Sequence, residues 1–446
     1  MSINRRAFLG GSAAVLMAQP AKKPNVVIFL ADDLGFGDTG HSGGEMATPN
    51  IDSLFKTGVS FDRFYAFPVC SPTRSGLMTG RSPMRLGVIW TVIRPWEKYG
   101  VPLEEHFMPQ SFKAAGYETA MTGKWHLGHS QVKFLPNSRG FDHSYGHVNG
   151  MIDYFTHMRD GGLDWHRDGK SIVEEGYSTD LIAGEAVRLI KGRDKSKPLF
   201  LYMPFNAPHS PLQAPKETLA KYASIKDERR RAFVAIVDRL DMNIGRVMKA
   251  LDDEGMIKDT VILFFSDNGG PIAQGANNGP LRGAKATAFE GGLRVPAVIR
   301  WDGHLKAGTI SKQVGYVVDV FPTLAGAAGV KPLNKLPFDG KNLWPAILAG
   351  KAEPREDLFF AVEGSLAVHH REWKLVRHKD VNMLFQIEQD PSEKNDVAAA
   401  HPALVKDLSA RIDKWVALHP KQGTRGTEKM PEGFVSPEKW IEAATP

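Results

Sequence analysis

Pro24-Asn25-Val26-Val27-Ile28-Phe29-Leu30-Ala31-Asp32-Asp33 is the stretch that decides how this chain is built. An unbroken apolar run closed by turn-forming residues suits a strand covered on both faces. The pattern returns at Thr260-Val261-Ile262-Leu263-Phe264-Phe265-Ser266, closed by Asp267-Asn268-Gly269-Gly270, and again at Lys197-Pro198-Leu199-Phe200-Leu201-Tyr202-Met203. Over residues 226–254, Phe233, Ile236, Val237, Leu240, Ile244, Val247, Met248 and Leu251 recur at spacings of three and four, one face of a helix. Its charged positions, 229–231 and 252–254, read as a solvated face. Strands alternating with helices predict an α/β fold: a large mixed, mostly parallel sheet sandwiched by helices.

Prolines crowd between residues 330 and 355, and the pattern changes beyond them. Leu358-Phe359-Phe360-Ala361-Val362, Trp373-Lys374-Leu375-Val376 and Met383-Leu384-Phe385-Gln386-Ile387 read as short strands, followed by a helix over about 403–417. This predicts a small C-terminal antiparallel sheet and helix. From Lys421 onward the sequence has little apolar periodicity and is expected to pack loosely. At the other end, Asn4-Arg5-Arg6-Ala7-Phe8-Leu9-Gly10-Gly11 and the short apolar run after it look like a twin-arginine export signal. That run falls short of the roughly 20 residues a membrane span needs. The expected division is therefore a signal peptide at 1–21, a catalytic unit at 22–350 and a C-terminal α+β unit with tail at 351–446. The expected location is periplasmic or secreted, with the twin-arginine export machinery as a partner and no stable membrane association. A net charge of +6 with no basic block gives no nucleic-acid footprint.

The two aspartate-closed strands each deliver hard oxygen atoms at a carboxyl end, the edge of an open α/β sheet where ligands sit. A lone aspartate there is usually a turn former; two such pairs point to a site. A third motif strengthens the case. Cys70, the only cysteine in the chain, opens Cys70-Ser71-Pro72-Thr73-Arg74-Ser75-Gly76-Leu77-Met78-Thr79-Gly80-Arg81. A free cysteine is by default a small buried hydrophobe, but its neighbours here are distinctive. The run resembles the signature of the sulfatase family, whose cysteine a formylglycine-generating enzyme converts to formylglycine. Thr73 stands where many members carry serine. The hydrated aldehyde is a geminal diol: one hydroxyl attacks sulfur, and the other later expels the sulfate.

Further motifs keep the same company. Gly123-Lys124-Trp125-His126-Leu127-Gly128 places a cation and an imidazole two apart, on one side of an extended segment. Asn206-Ala207-Pro208-His209 ends a strand, and Leu281-Arg282-Gly283-Ala284-Lys285 lies in a glycine-rich loop. Together they resemble sulfatases over about residues 24–400. Leu135-Pro136-Asn137-Ser138-Arg139-Gly140-Phe141-Asp142, Asp153-Tyr154-Phe155 and Gly275-Ala276-Asn277-Asn278-Gly279-Pro280-Leu281-Arg282-Gly283 look like the arylsulfatase B branch. That branch removes 4-sulfate from N-acetylgalactosamine in glycosaminoglycans. Its animal members carry disulfides that a single cysteine cannot form, so only the site is carried over.

The resemblance implies an alkaline phosphatase-like fold and one bound ion. Asp32, Asp33, Asp267 and Asn268, with an oxygen of modified Cys70, are all hard ligands and suit calcium. It implies that Asp267 takes the proton of the attacking hydroxyl, and that Lys124, His209 and Lys285 hold the sulfate. His209 and Lys285 are candidates to protonate the leaving alcohol; Arg74 and His126 would hold the formylglycine hydrate. Arg74, Lys124 and Lys285 balance Asp32, Asp33 and Asp267 in charge, so a divalent ion turns the cluster positive for an anionic ester. The 140–170 stretch, dense in histidine, arginine and aromatic residues, is expected to be a loop lining a sugar pocket, with His143 and Arg159 as contacts for a sulfated saccharide. Two rivals use the same residues: a phospho- or phosphonate ester hydrolase of the same superfamily, and a non-catalytic calcium-dependent glycan-binding protein with Cys70 unmodified.

Overall fold

The computed structural model describes residues 22–424 and 429–446. The twin-arginine segment lies outside the described residues. Asn25–Ala31 forms the expected strand, buried along its whole length. It pairs in parallel with Thr260–Ser266 on one side and Leu199–Pro204 on the other. Outward from Leu199–Pro204 come Glu118–Lys124 and His143–His147, both parallel. Outward from Thr260–Ser266 come antiparallel Ala297–Arg300, then Val59–Phe61 and Thr309–Ser311. With two short strands beyond His143–His147, ten strands make one mixed sheet with a parallel centre.

Successive residues of a strand point to opposite faces, and the central strand uses both. Val26, Ile28 and Leu30 join a core layer with Phe67, Leu77 and Met78. Val27, Phe29 and Ala31 join the other layer, with Ile236, Leu240 and Ile244 of the Glu228–Asp253 helix. Each such side chain contributes roughly 1.5–3 kcal/mol on burial, which is why both faces must be covered. Within the 229–231 positions of that helix Arg229 is exposed as expected, and Arg230 departs from the expected solvated face. Arg230 Nη1 bonds Asp38 Oδ1 at 2.5 Å, and its Nε bonds Glu45 Oε1 at 2.6 Å. It thereby ties the helix to the loop after Asp33.

The C-terminal sheet has four antiparallel strands, Leu358–Val362, Ser365–His370, Trp373–His378 and Val381–Gln386. The helix Pro402–Val416 packs Leu408 and Ile412 onto Val368, Leu375 and Leu384. Ser365–His370 was not among the expected strands: two histidines at its end weaken its apolar alternation.

The last residues of the tail are anchored, unlike the exposed stretch 429–433 before them. Trp440 and Ile441 are buried with Leu135 and Val148. The Trp440 indole N–H donates to the Arg159 carbonyl at 2.9 Å, and Leu163 N–H donates to the Glu438 carbonyl at 2.8 Å. Two aromatic-aliphatic neighbours are enough to anchor a strap, and such a short pair leaves no periodic signal. Among the described residues, no helix is long and apolar enough to cross a membrane.

Candidate active site

The site forms where the two aspartate-closed strands end side by side. Ala31 and Ser266 are register partners, so Asp32 and Asp267 leave the sheet together. Asp267 N–H donates to the Ala31 carbonyl at 3.0 Å, and Asp33 N–H to Asp267 Oδ1 at 3.2 Å. Asp33 is left-handed at φ 75°, which turns its carboxylate back over the strand end.

Cys70 is the first residue of the Cys70–Thr79 helix, which ends on left-handed Gly80. Pro72 falls in the first turn, where no intrahelical donor is lost. Thr73 Oγ1 accepts the Phe67 N–H at 2.8 Å and donates to the Phe67 carbonyl at 3.2 Å, so a hydroxyl is what that position requires. Four residues on from Cys70, Arg74 lies on the same helix face. Its Nε and Nη2 donate to Asp267 Oδ2 at 3.0 and 2.8 Å, and its Nη1 to the Lys124 carbonyl at 3.0 Å. The Cys70 thiol points at Asp32 Oδ1, 3.5 Å away.

Two lysines close the cluster. Lys124 Nζ donates to Asp32 Oδ2 at 2.7 Å, and Lys285 Nζ lies 2.7 Å from Asp33 Oδ1. His209 Nδ1–H donates to the Ser210 carbonyl at 2.7 Å, leaving Nε2 as a lone pair 3.6 Å from Asp33 Oδ2. Burial, reinforced by Lys285, pulls the His209 imidazole down to about 3, so it is neutral. Burial also pushes Asp32 up, to about 7 against the pull of Lys124. Asp33 resists the same burial because the Lys285 ammonium and the Asn268 amide hold it well below the usual carboxylate range.

His126 arrives differently from expectation. The strand Glu118–Lys124 ends before it, and His126 is left-handed at φ 60° rather than extended. Its carbonyl accepts the Ser71 hydroxyl at 3.0 Å, which keeps it beside the Cys70 helix. Its Nε2–H donates to the Ile93 carbonyl at 3.0 Å, so Nδ1 carries the lone pair. Burial, with Lys124 and Arg74 nearby, holds this ring well below its ordinary pKa.

The residues present fit a hard cation. Donor atoms of Asp32, Asp33, Cys70 and His209 lie within 4.8 Å of one another. Asn268 donates its amide N–H to Asp33 Oδ1 at 2.7 Å, while its buried Oδ1 has no partner among the described residues. An orphaned buried amide oxygen beside two carboxylates is the donor set oxygen-seeking ions take.

The 140–170 stretch is not a free loop. His143 opens the strand His143–His147 opposite Ala120, whereas Lys124, at the site, faces His147. His143 thus lies four residues away, towards the opposite edge of the sheet. Its ring nitrogens meet Asp168 at 3.0 Å and Glu185 at 2.8 Å. Arg159 is held by Asp160 at 3.0 Å and is not joined to the cluster by any ion pair among the described residues. Tyr154, unassigned on sequence, donates its hydroxyl to the carbonyls of Asn206 and His209, both at 2.8 Å, and so fixes the His209 backbone. Its place in Asp153-Tyr154-Phe155 was the available signal.

Comparison with known proteins agrees with this geometry. The sulfatase family model matches residues 24–330. Mouse arylsulfatase J is 31% identical, over 88% of this chain and 76% of its own. Mouse N-acetylgalactosamine-6-sulfatase is 33% identical, over 81% and 73%. The crystal structure of Ps i-CgsB in complex with k-i-k-neocarrahexaose superposes with a TM-score of 0.85 at 34% identity, covering 90% of this chain and 94% of that one.

Proposed function

The chain belongs to the sulfatase family and is a sulfuric ester hydrolase, and from that premise we propose that its substrate is a sulfated saccharide, hydrolysed with a formylglycine at Cys70 and one calcium ion. The observation that carries this reading is the convergence on Cys70 of Arg74, Lys124, Asp267 and the Asp32–Asp33 pair, all within a buried centre. A sulfate monoester is anionic, and an anion enters such a site only where fixed cations outweigh the carboxylates.

Asp32, Asp33, Asp267 and Asn268 would hold the calcium, whose chemistry there is that of a Lewis acid polarising oxygen. A modified Cys70 would supply paired hydroxyls, one to attack sulfur and the other, on losing its proton, to re-form the aldehyde and expel the sulfate. The remaining work belongs to side chains whose states the geometry sets. Asp267 Oδ2 is occupied by Arg74, while Oδ1 accepts one N–H, from Asp33, and keeps a second lone pair for a proton from the attacking hydroxyl. Lys124 and Lys285 bind Asp32 and Asp33 through flexible stems, so both ammoniums can pass to sulfate oxygens once the acids have another cation. The Lys285 ammonium is placed to protonate the leaving alcohol; His209 Nε2, a lone pair in this state, does so only after taking up a proton. His126 Nδ1, a neutral acceptor, serves the second hydroxyl. Fixed charges and dipoles of this kind are usually the largest catalytic contribution.

The relatives bearing saccharide names support a sugar substrate, and the likeness of the 275–283 loop to the arylsulfatase B branch makes 4-sulfated N-acetylgalactosamine the first compound to try. The test is turnover on a panel of defined 4- and 6-sulfated N-acetylgalactosamines and sulfated galactan oligosaccharides, before and after chelation. Release of sulfate from at least one, lost on chelation and restored by calcium, is the expected result. Turnover of simple aryl sulfates alone would remove the saccharide reading.

A further inference from the structure

Asp164 is fully buried, lies outside the reacting cluster, and spends its carboxylate on a single turn. Oδ1 accepts the Val148 N–H at 2.9 Å; Oδ2 accepts the Asn149 N–H and the Asn149 side-chain amide, each at 2.9 Å. Three donors converging on one buried carboxylate fix a backbone segment more firmly than neutral bonds would. That segment runs alongside the one carrying Lys124 and His126. Trp125 N–H donates to the His147 carbonyl at 2.9 Å, and His126 N–H to the Val148 carbonyl at 3.1 Å.

Gly150 ends the turn with its Cα against the His126 ring. A Cβ at that position would stand 2.5 Å from His126 Cε1 and 2.7 Å from Nε2, closer than any real contact. The glycine is therefore required by space. His126 itself is left-handed, a conformation that persists in a non-glycine residue only where the surroundings impose it. Its ring is clamped between the Ile93 carbonyl, which fixes Nε2–H, and Gly150.

We propose that Asp164 is a positioning residue of the reaction: through the 148–150 turn it seats His126 in one orientation and one tautomer, with Nδ1 free as an acceptor. This rests on the proposed role of His126 beside Cys70. Asparagine at 164 offers one oxygen and one NH2 group to three N–H donors, so at least one donor loses its partner and the turn moves. All three hydrogen bonds of the carboxylate go to Val148 and Asn149, so it acts on the site through this turn.

The test uses the full-length enzyme labelled with 15N-histidine, with the His126 signals assigned by comparison with His126→Asn. Asp164→Asn should melt cooperatively yet lose the single Nε2–H signature of His126 in its imidazole 15N shifts. On an aryl sulfate its kcat should fall at least about tenfold, up to the roughly hundred- to ten-thousandfold that one acid–base group contributes. KM should stay within about twofold, because Lys124, His209 and Lys285, which hold the sulfate, are not disturbed. Gly150→Ala should reproduce both changes with Asp164 intact, and decides the matter if Asp164→Asn does not fold. Parental imidazole shifts in a folded variant would overturn the proposal, as would equal losses in kcat and KM with the tautomer unchanged. Parental kcat in His126→Asn would instead overturn the role of His126, while the tautomer readout would still decide whether Asp164 seats the ring.

Discussion

Replacing Lys374 by methionine removes the one ammonium that two buried carboxylates share. Lys374 Nζ lies 2.8 Å from Glu290 Oε1 and 2.8 Å from Glu393 Oε1, and all three side chains are fully buried. Glu290 also accepts the Tyr65 hydroxyl at 3.0 Å and lies 3.1 Å from His369 Nε2. Burial raises both carboxyls, but Lys374 and His369 hold Glu290 well below its ordinary range, while Glu393 is left at about 7. Methionine keeps most of the stem's volume and deletes only the charge. Breaking a buried pair this way costs about 3–5 kcal/mol. At pH 8 the variant should lose stability on that scale, read as a lower urea midpoint at unchanged slope. The pH dependence has a definite sign. Without the lysine Glu290 loses the charge that holds it below its unfolded value near 4.5 and Glu393 rises further above its own, so the folded state holds protons that the unfolded state releases. The deficit is therefore largest at pH 8 and shrinks as pH falls towards 5. Lys374→Met combined with Glu393→Gln should recover part of the loss at pH 8. A single variant within about 1 kcal/mol of the parent at pH 8 would refute the reasoning, since that is the behaviour of an exposed pair.

Glu393→Gln alone should flatten the parental decline in stability between about pH 4.5 and 7, because a carboxyl raised in the folded state stabilises below that window and not above it; urea midpoints across the range will show it. Arg74→Lys keeps the charge but not the fork that grips Asp267 and the Lys124 carbonyl, so kcat on an aryl sulfate should fall about a hundredfold or more in folded protein. Calcium at about 100 times its Kd should add about 2.7 kcal/mol of stability to metal-stripped protein, and Asp33→Asn should abolish that shift in a calcium titration followed by melting. Trp440→Ala should free the strap, speeding amide exchange in residues 129–132 and 158–164 while leaving the central sheet protected.

Much of the architecture could be read from residues because strong, local physics produced it. Asn25–Ala31 and Thr260–Ser266 are apolar on both faces, which only a covered parallel centre tolerates, and the aspartates after them follow from sheet topology. The Cys70 motif carried its own chemistry. What escaped was set by tertiary contact. His126 broke the extended pattern because a left-handed turn follows Lys124. His143 was drawn into a sugar-binding reading by composition, yet strand register carries it towards the opposite edge of the sheet. Lys374 read as an ordinary strand lysine, since nothing local discloses two glutamates 84 and 19 positions away. The tail was read as loose because one tryptophan and one isoleucine make no period, although they anchor it.

The most direct measurement offers 4-nitrophenyl sulfate and 4-nitrophenyl phosphate side by side to protein produced with a formylglycine-generating enzyme, and weighs the Cys70 peptide from the same preparation. Sulfate turnover should exceed phosphate turnover and rise in proportion to the fraction of Cys70 converted to the aldehyde. Full sulfate turnover by protein carrying only the intact thiol would contradict the proposed mechanism, and a preference for the phosphate ester would contradict the assignment of the substrate.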